Sequence, residues 1–220
     1  MKIAHLLTLT AAIALFSGTA SYADDGKVGV GAGDLLVRIR ALGVFPDVSG
    51  RDNNLHGKIG ISNDYIPEID AAYFLTDHFA AEIIAGTSQH DVKDTGNILG
   101  QNLKLGHVWL LPPTVTAQWH PLSRQAFDPY VGAGLNYTIF YGSGGTQTLP
   151  NEKVTYRNEV GEALQIGVNY NVNGAWFLNA DVKKVFLSTT AVVKLGGVEA
   201  TRANVRIDPW LVGVGVGYRF

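Results

Sequence analysis

The side chains that could carry chemistry are thinly spread along this sequence. His56, His78, His90, His107 and His120 never stand at i, i+2 or i+4 from one another, the spacings that put two imidazoles on one face of a strand or helix. A metal site would have to be gathered from the loop histidines His56, His90 and His107. With no cysteine, thiolate nucleophiles, zinc–thiolate centres and disulfides are excluded. Ser123 follows His120 by three residues, which raises hydrolytic attack on a lipid. Ser123 falls in a short connection, however, and no G-x-S-x-G elbow or carboxylate pair with a substrate cleft accompanies the two. These residues point to no catalysis, no metal and no cofactor.

The remaining charges are arranged differently. Arg38, Arg40, Lys183 and Arg219 are basic and Glu68, Asp70, Glu82 and Asp181 are acidic, and each sits in a segment of alternating polarity on the face opposite Val, Leu or Ile. Four against four suits a narrow enclosed lumen plugged by paired charges, because buried charge persists mainly when paired. A proton or ion path through them is the functional alternative.

Such a lumen needs strands to enclose it. Eight segments carry a two-residue period: 35–45, 67–75, 79–86, 114–120, 130–141, 163–171, 176–186 and 205–220. In the last, Val212, Val214, Val216, Tyr218 and Phe220 alternate with Gly213, Gly215, Gly217 and Arg219. Glycine where a soluble sheet would put charge marks a face that is closely approached. The connections alternate long and short, and the short ones include Thr76–His78 and the Asn173–Gly174 hairpin signal. Aromatic residues gather near strand ends, as in the girdles of membrane barrels. The pattern predicts an all-β fold: an eight-stranded antiparallel up-and-down transmembrane β-barrel, apolar face to lipid and polar face enclosed.

Composition agrees. Of the 220 residues 16% are charged and 26 are glycine, against usual shares of about 25% and about 7% respectively. A net charge of −2 suggests no nucleic-acid partner. Lys2, the apolar run Leu6–Phe16 and Ser21-Tyr22-Ala23 read as a signal peptide over 1–23, leaving 24–220 as the barrel.

The stretches LPPTVTAQW (with Trp109 before it), PYVGAGLNYT, KLGG, RIDPW and the terminal GYRF resemble, in order and spacing, the OmpW family of Gram-negative outer-membrane proteins, which includes the AlkL and OprG types. The resemblance implies an eight-stranded barrel in the cell outer membrane and passage of small hydrophobic molecules. It also implies a lumen closed toward the periplasm and lateral release through a gap in the wall near prolines. Outer-membrane lipids, a small hydrophobic solute, periplasmic chaperones and the assembly machinery are the implied partners. Tyr218 and Phe220 are similar to the C-terminal signal that machinery reads. The residues themselves offer Leu103, Leu105, Trp109 and Leu111 as an apolar mouth and Pro112 and Pro113 as a break in the wall, and the resemblance adds Pro46 as a further shaper of the exit. A structural barrel whose extracellular loops bind host surfaces, phage or toxins is the alternative.

Overall fold

The structure, a computed structural model, describes residues 26–49, 58–95, 103–144 and 152–220. The expected signal segment 1–23 and His56 lie outside them.

Eight strands close a barrel: β1 (Leu35–Phe45), β3 (Asp64–Phe74), β4 (Phe79–Ala85), β7 (Thr114–Trp119), β8 (Phe127–Gly144), β10 (Glu159–Asn173), β11 (Trp176–Phe186) and β14 (Trp210–Arg219). Each pairs antiparallel with the next, β8 with β10, and β14 closes on β1 from Leu36↔Arg219 to Phe45↔Trp210. Closure leaves no unpaired edge, which hydrocarbon would not tolerate.

The period-two face behaves as the sequence predicts. Ile39 is 59% exposed, Leu135 62% and Val214 60%, while Arg38, Arg40 and Glu82 on the other face are buried. A continuous exterior of exposed Ile, Leu and Val is stable only against lipid. The inward glycines answer to the register. Arg38 pairs with Gly217 and Arg40 with Gly215 across the closing seam. A Cβ at Gly217 would lie 2.8 Å from Cγ of Arg38, and one at Gly215 would collide with the Ile39 carbonyl. Glycine there leaves room for the arginine stems.

Six further strands stand where long loops are expected. They are β2 (Lys58–Ile61), β5 (Ser88–Thr95), β6 (Leu103–Leu111), β9 (Glu152–Tyr156), β12 (Ser188–Leu195) and β13 (Val198–Arg206). β2, β5 and β6 prolong the wall beyond β8, and β13, β12 and β9 form a three-stranded sheet. The eighth barrel strand therefore begins at Trp210, not at Val205. Asp208 at φ 33° and Pro209, which has no N–H, break the ladder between β13 and β14. The barrel thus has a turn end, carrying the short connections and the C-terminus, and a hairpin end.

At the turn end a strap of residues 27–34 crosses the mouth. Val30 is fully buried with Leu36, Phe74, Ala80 and Phe177. Its N–H donates to the Ser123 carbonyl at 2.6 Å, and the Gly31 and Ala32 N–H groups donate to Asp34 and Asp77.

Candidate functional site

The interior is stratified. Along β1 the inward residues run Leu36, Arg38, Arg40, Leu42, Val44 from the turn end upward, and along β11 they run Phe177, Asn179, Asp181, Lys183, Val185. The layers are an apolar floor, a charged plug and an apolar upper chamber.

The plug gathers seven of the eight charges singled out by their position. Arg38 donates from Nε to Asp70 and from Nη2 to Glu82, both at 2.6 Å. Arg40 donates from Nη1 to Glu68 at 2.8 Å, from Nη2 to Glu82 at 3.1 Å and from Nε to Asn179 at 2.7 Å. Lys183 Nζ donates to Asp181 Oδ1 at 2.6 Å, while Tyr130 and Gln165 donate to Oδ2 at 2.8 and 2.7 Å. Arg219 departs from the expected four-against-four grouping. It stands one layer lower and donates to the backbone carbonyls of Lys27 and Gly29, because the strap fills that mouth.

His120 and Ser123 do not form a catalytic pair. The His120 ring engages Asp128 at 2.8 Å and Gln118 at 3.2 Å and stacks on Tyr130, while the Ser123 hydroxyl has no hydrogen-bond partner among the described residues. The loop histidines do not converge either. His90 points inward, against the Ser62 carbonyl at 2.6 Å and the Ser88 hydroxyl at 3.0 Å. His107 belongs to the outward row of β6 and packs beside Gly144.

Above the plug lies a cavity of about 100 Å³ lined mainly by apolar side chains, among them Leu42, Ile84, Val108, Leu110, Val185 and Leu211. The extra strands supply its upper wall through Ile59, Val92, Val154 and Val205, joined by Ile207 just past β13. Of the residues expected at the mouth, only Leu105 has a described side chain on this lining. Leu103 begins β6, and its side chain lies outside the described residues. Trp109 and Leu111 belong to the other face of β6, and Val108 and Leu110 take the inward places. The cause is a bulge: Gly106, at φ 103°, shifts the β5–β6 register, so that Val92 pairs with Gly106 and Lys93 with Lys104, and the parity of the strand changes. Trp109 instead stacks with Tyr141, ring centroids 6.3 Å apart. Pro46 and Pro112 line the cavity, whereas Pro113 serves the wall, its carbonyl accepting from Tyr137 N–H at 3.0 Å.

One stretch of that wall is unlaced. Leu35 and Phe220 exchange both backbone bonds, so even-numbered β1 residues bond toward β3 and odd-numbered β3 residues toward β4. Beyond the Ile69↔Ala85 pair the next bond falls to Pro67, which has no N–H to give. Lacing resumes only at Ser62, whose N–H donates to the Asp91 carbonyl at 3.0 Å, and the Asp64 carboxylate meanwhile accepts from Gln89 N–H at 2.8 Å. On the other flank the β4–β7 ladder stops at Ile84↔Thr114, and β5–β6 restarts at Ser88↔Leu110. Leu111, Pro112 and Pro113 face the intervening gap. Among the described residues no backbone hydrogen bond joins Gly86 or Thr87 to either neighbour. Thr87 is held by its hydroxyl, which donates to the Leu110 carbonyl at 3.0 Å. Gly86 and Ile66 line the cavity at this gap, and Ile66 also lines a groove on the lipid-facing side with Tyr65 and Pro67. The sequence reading missed Pro67 and Gly86. A proline in an alternating segment is the available signal, but alternation alone starts that strand at Pro67, whereas β3 starts three residues earlier at Asp64.

Residues 31–220 match the OmpW family. The chain is 40% identical over 211 residues to an uncharacterized outer-membrane protein, y4mB, of Sinorhizobium fredii, covering 96% of this chain and 90% of that protein. It is 33% identical over 196 residues to outer membrane protein W of Vibrio cholerae, covering 86% and 89%. The crystal structure of OprG from Pseudomonas aeruginosa superposes with a TM-score of 0.80 at 28% identity, covering 87% of this chain and 98% of OprG. The chain belongs to the OmpW family and is an integral outer-membrane β-barrel.

Proposed function

We propose that this OmpW-family barrel is a passive conduit: small hydrophobic molecules enter the upper chamber at the extracellular, hairpin end and leave sideways into the bilayer past Gly86. The observation that carries this reading is the unlaced wall, where Pro67 on one flank and Pro112–Pro113 on the other leave Gly86 unbonded beside an apolar cavity. Straight passage is opposed by the plug and the strap. Moving an apolar solute through a layer of paired charges would cost their hydrogen bonds, whereas a sideways step keeps it among apolar atoms.

Ile66 is the moving part. Its Cδ1 lies 3.5 Å from where a Gly86 Cβ would stand, so a larger residue at 86 wedges the gap and a smaller one at 66 widens it. Uptake of decane by cells lacking their own copy and producing the variants tests the route. Gly86→Leu should reduce uptake to the level of cells without the protein, and Ile66→Ala should raise it, with both barrels folded by their unboiled electrophoretic mobility. Unchanged uptake in a folded Gly86→Leu barrel rejects lateral exit at this point.

The C-terminal strand is read as the assembly signal. Tyr218 packs edge-on against Trp176 and Phe220, at 5.1 and 4.9 Å between centroids, and this outward patch would meet the assembly machinery before β14 zips onto β1.

A further inference from the structure

The floor of the apolar chamber is not apolar. Lys183 and Glu68, the two charged residues of the lining, face the cavity from below beside the polar Thr114, Asn136 and Thr138, and the remainder of the lining is mainly apolar. The Lys183 side chain is 1% exposed, and among the described residues its ammonium makes one hydrogen bond, to Asp181 Oδ1, although it carries three donors. Glu68 is 4% exposed and gives Oε1 to Arg40 at 2.8 Å. The two groups make no direct ion pair among the described residues. A buried donor with spare hydrogens and a carboxylate with spare acceptor capacity therefore face one space, and leaving such groups unmet is costly.

We infer that the chamber takes amphiphiles with an apolar chain and a single hydroxyl head, the oxygen accepting from Lys183 Nζ and its proton donated to Glu68. The charge balance selects against ionised heads. The layer already holds Glu68, Asp70, Glu82 and Asp181 against Arg38, Arg40 and Lys183, so a carboxylate head adds to an excess of negative charge. An ammonium head meets Lys183 as a like charge. A hydroxyl satisfies both groups at no cost in charge. The tail then lies among Leu42, Ile84, Val185 and Leu211, within reach of the gap at Gly86.

This inference rests on the conduit reading and is tested by binding. Protein in lipid nanodiscs, with empty nanodiscs as the background, is titrated with decan-1-ol, decane, decanoate and decylamine. Decan-1-ol should bind about tenfold more tightly than decane, the worth of one hydrogen bond to a charged group, with both ionised analogues weaker than the alcohol. The double variant Glu68→Leu with Lys183→Met keeps the net charge of the layer and leaves Asp181 beside Arg40, 3.8 Å away. It should erase the alcohol's advantage and leave decane unchanged. Should the double variant not fold, 15N-lysine-labelled wild type supplies the readout: the Lys183 ammonium signal moves with decan-1-ol and not with decane. Equal affinity for alcohol and alkane in the wild type, a retained preference in the double variant, or an unmoved ammonium signal overturns the head-group site alone. Absence of any saturable decane binding above the empty discs removes the conduit reading and this inference with it.

Discussion

The lower and upper halves of the same barrel are held in opposite ways. Below, Arg38, Arg40, Glu68, Asp70, Glu82 and Asp181 fill the lumen with charge, and nearly every donor is committed. Above, the strands carry Leu42, Val44, Ile84 and Val185 around unfilled space. Backbone follows the same division. The wall is laced through Ile69↔Ala85 and Ile84↔Thr114, and loses its bonds just above them, at Pro67, Gly86 and Pro112. A lipid-exposed barrel can afford an open, loosely sewn chamber because a rigid cross-linked layer lies directly beneath it.

Substitutions should separate the halves, and the largest effect belongs to the plug. Arg40 is shared by Glu68, Asp70 and Glu82, and Arg40→Met leaves those carboxylates buried without their common partner. Removing one member of a buried charged set costs about 3–5 kcal/mol, so urea unfolding in lipid vesicles should show a loss of that size or no folded barrel. A folded Arg40→Met barrel of wild-type stability would mean that the plug does not hold the wall.

Leu42→Ala in the chamber should cost less, about 1–2 kcal/mol, below the usual range for a core leucine because the site already borders open space. The same unfolding measurement checks it, and decane uptake should persist. A loss as large as that of Arg40→Met would erase the distinction between the halves.

The smallest effect lies at the strap. Asp77, in an exposed turn, is held below the usual carboxylate range by the Arg124 guanidinium and the Ala32 N–H. A depressed carboxylate stabilises above its unfolded pKa, and that contribution fades as pH falls through the folded value. The protection factor of the Ala32 amide should therefore start to fall once the pH drops below the unfolded carboxylate value, about 4, and fall further toward the lower folded value of Asp77, and Asp77→Asn should show the reduced protection already at neutral pH. A pH-independent amide would show that the strap is pinned by Val30 and Asp34 instead.

Much of the lower half was legible in the sequence. β1 and β11 occupy the segments read from alternation, and the inward charges follow from a period of two over uninterrupted strands. The upper half was less so, for local reasons. β12 and β13 face the chamber with Thr189, Ala191, Val193, Ala203 and Val205, a mixed row of small and polar residues that does not stand out as strand alternation, although Gly196-Gly197 marks their turn. In β6 the bulge at Gly106 moves the face from Trp109 to Val108, a change that three-dimensional pairing decides and composition does not. The unlaced wall depends on which neighbour each β3 residue bonds, and so on strand register, which no single segment contains.

The glycines opposite the arginines have a consequence for what this barrel can become. Where β14 offers Gly215 and Gly217 and β10 offers Gly167, long groups of neighbouring strands, Arg38 and Arg40 from β1 and Tyr130 from β8, reach over bare backbone. At these glycine positions there is nothing to trim. Turning the bore into an aqueous pore would require several of the crossing side chains to shorten together, so natural variation by single replacements is confined to reshaping the chamber and its side door.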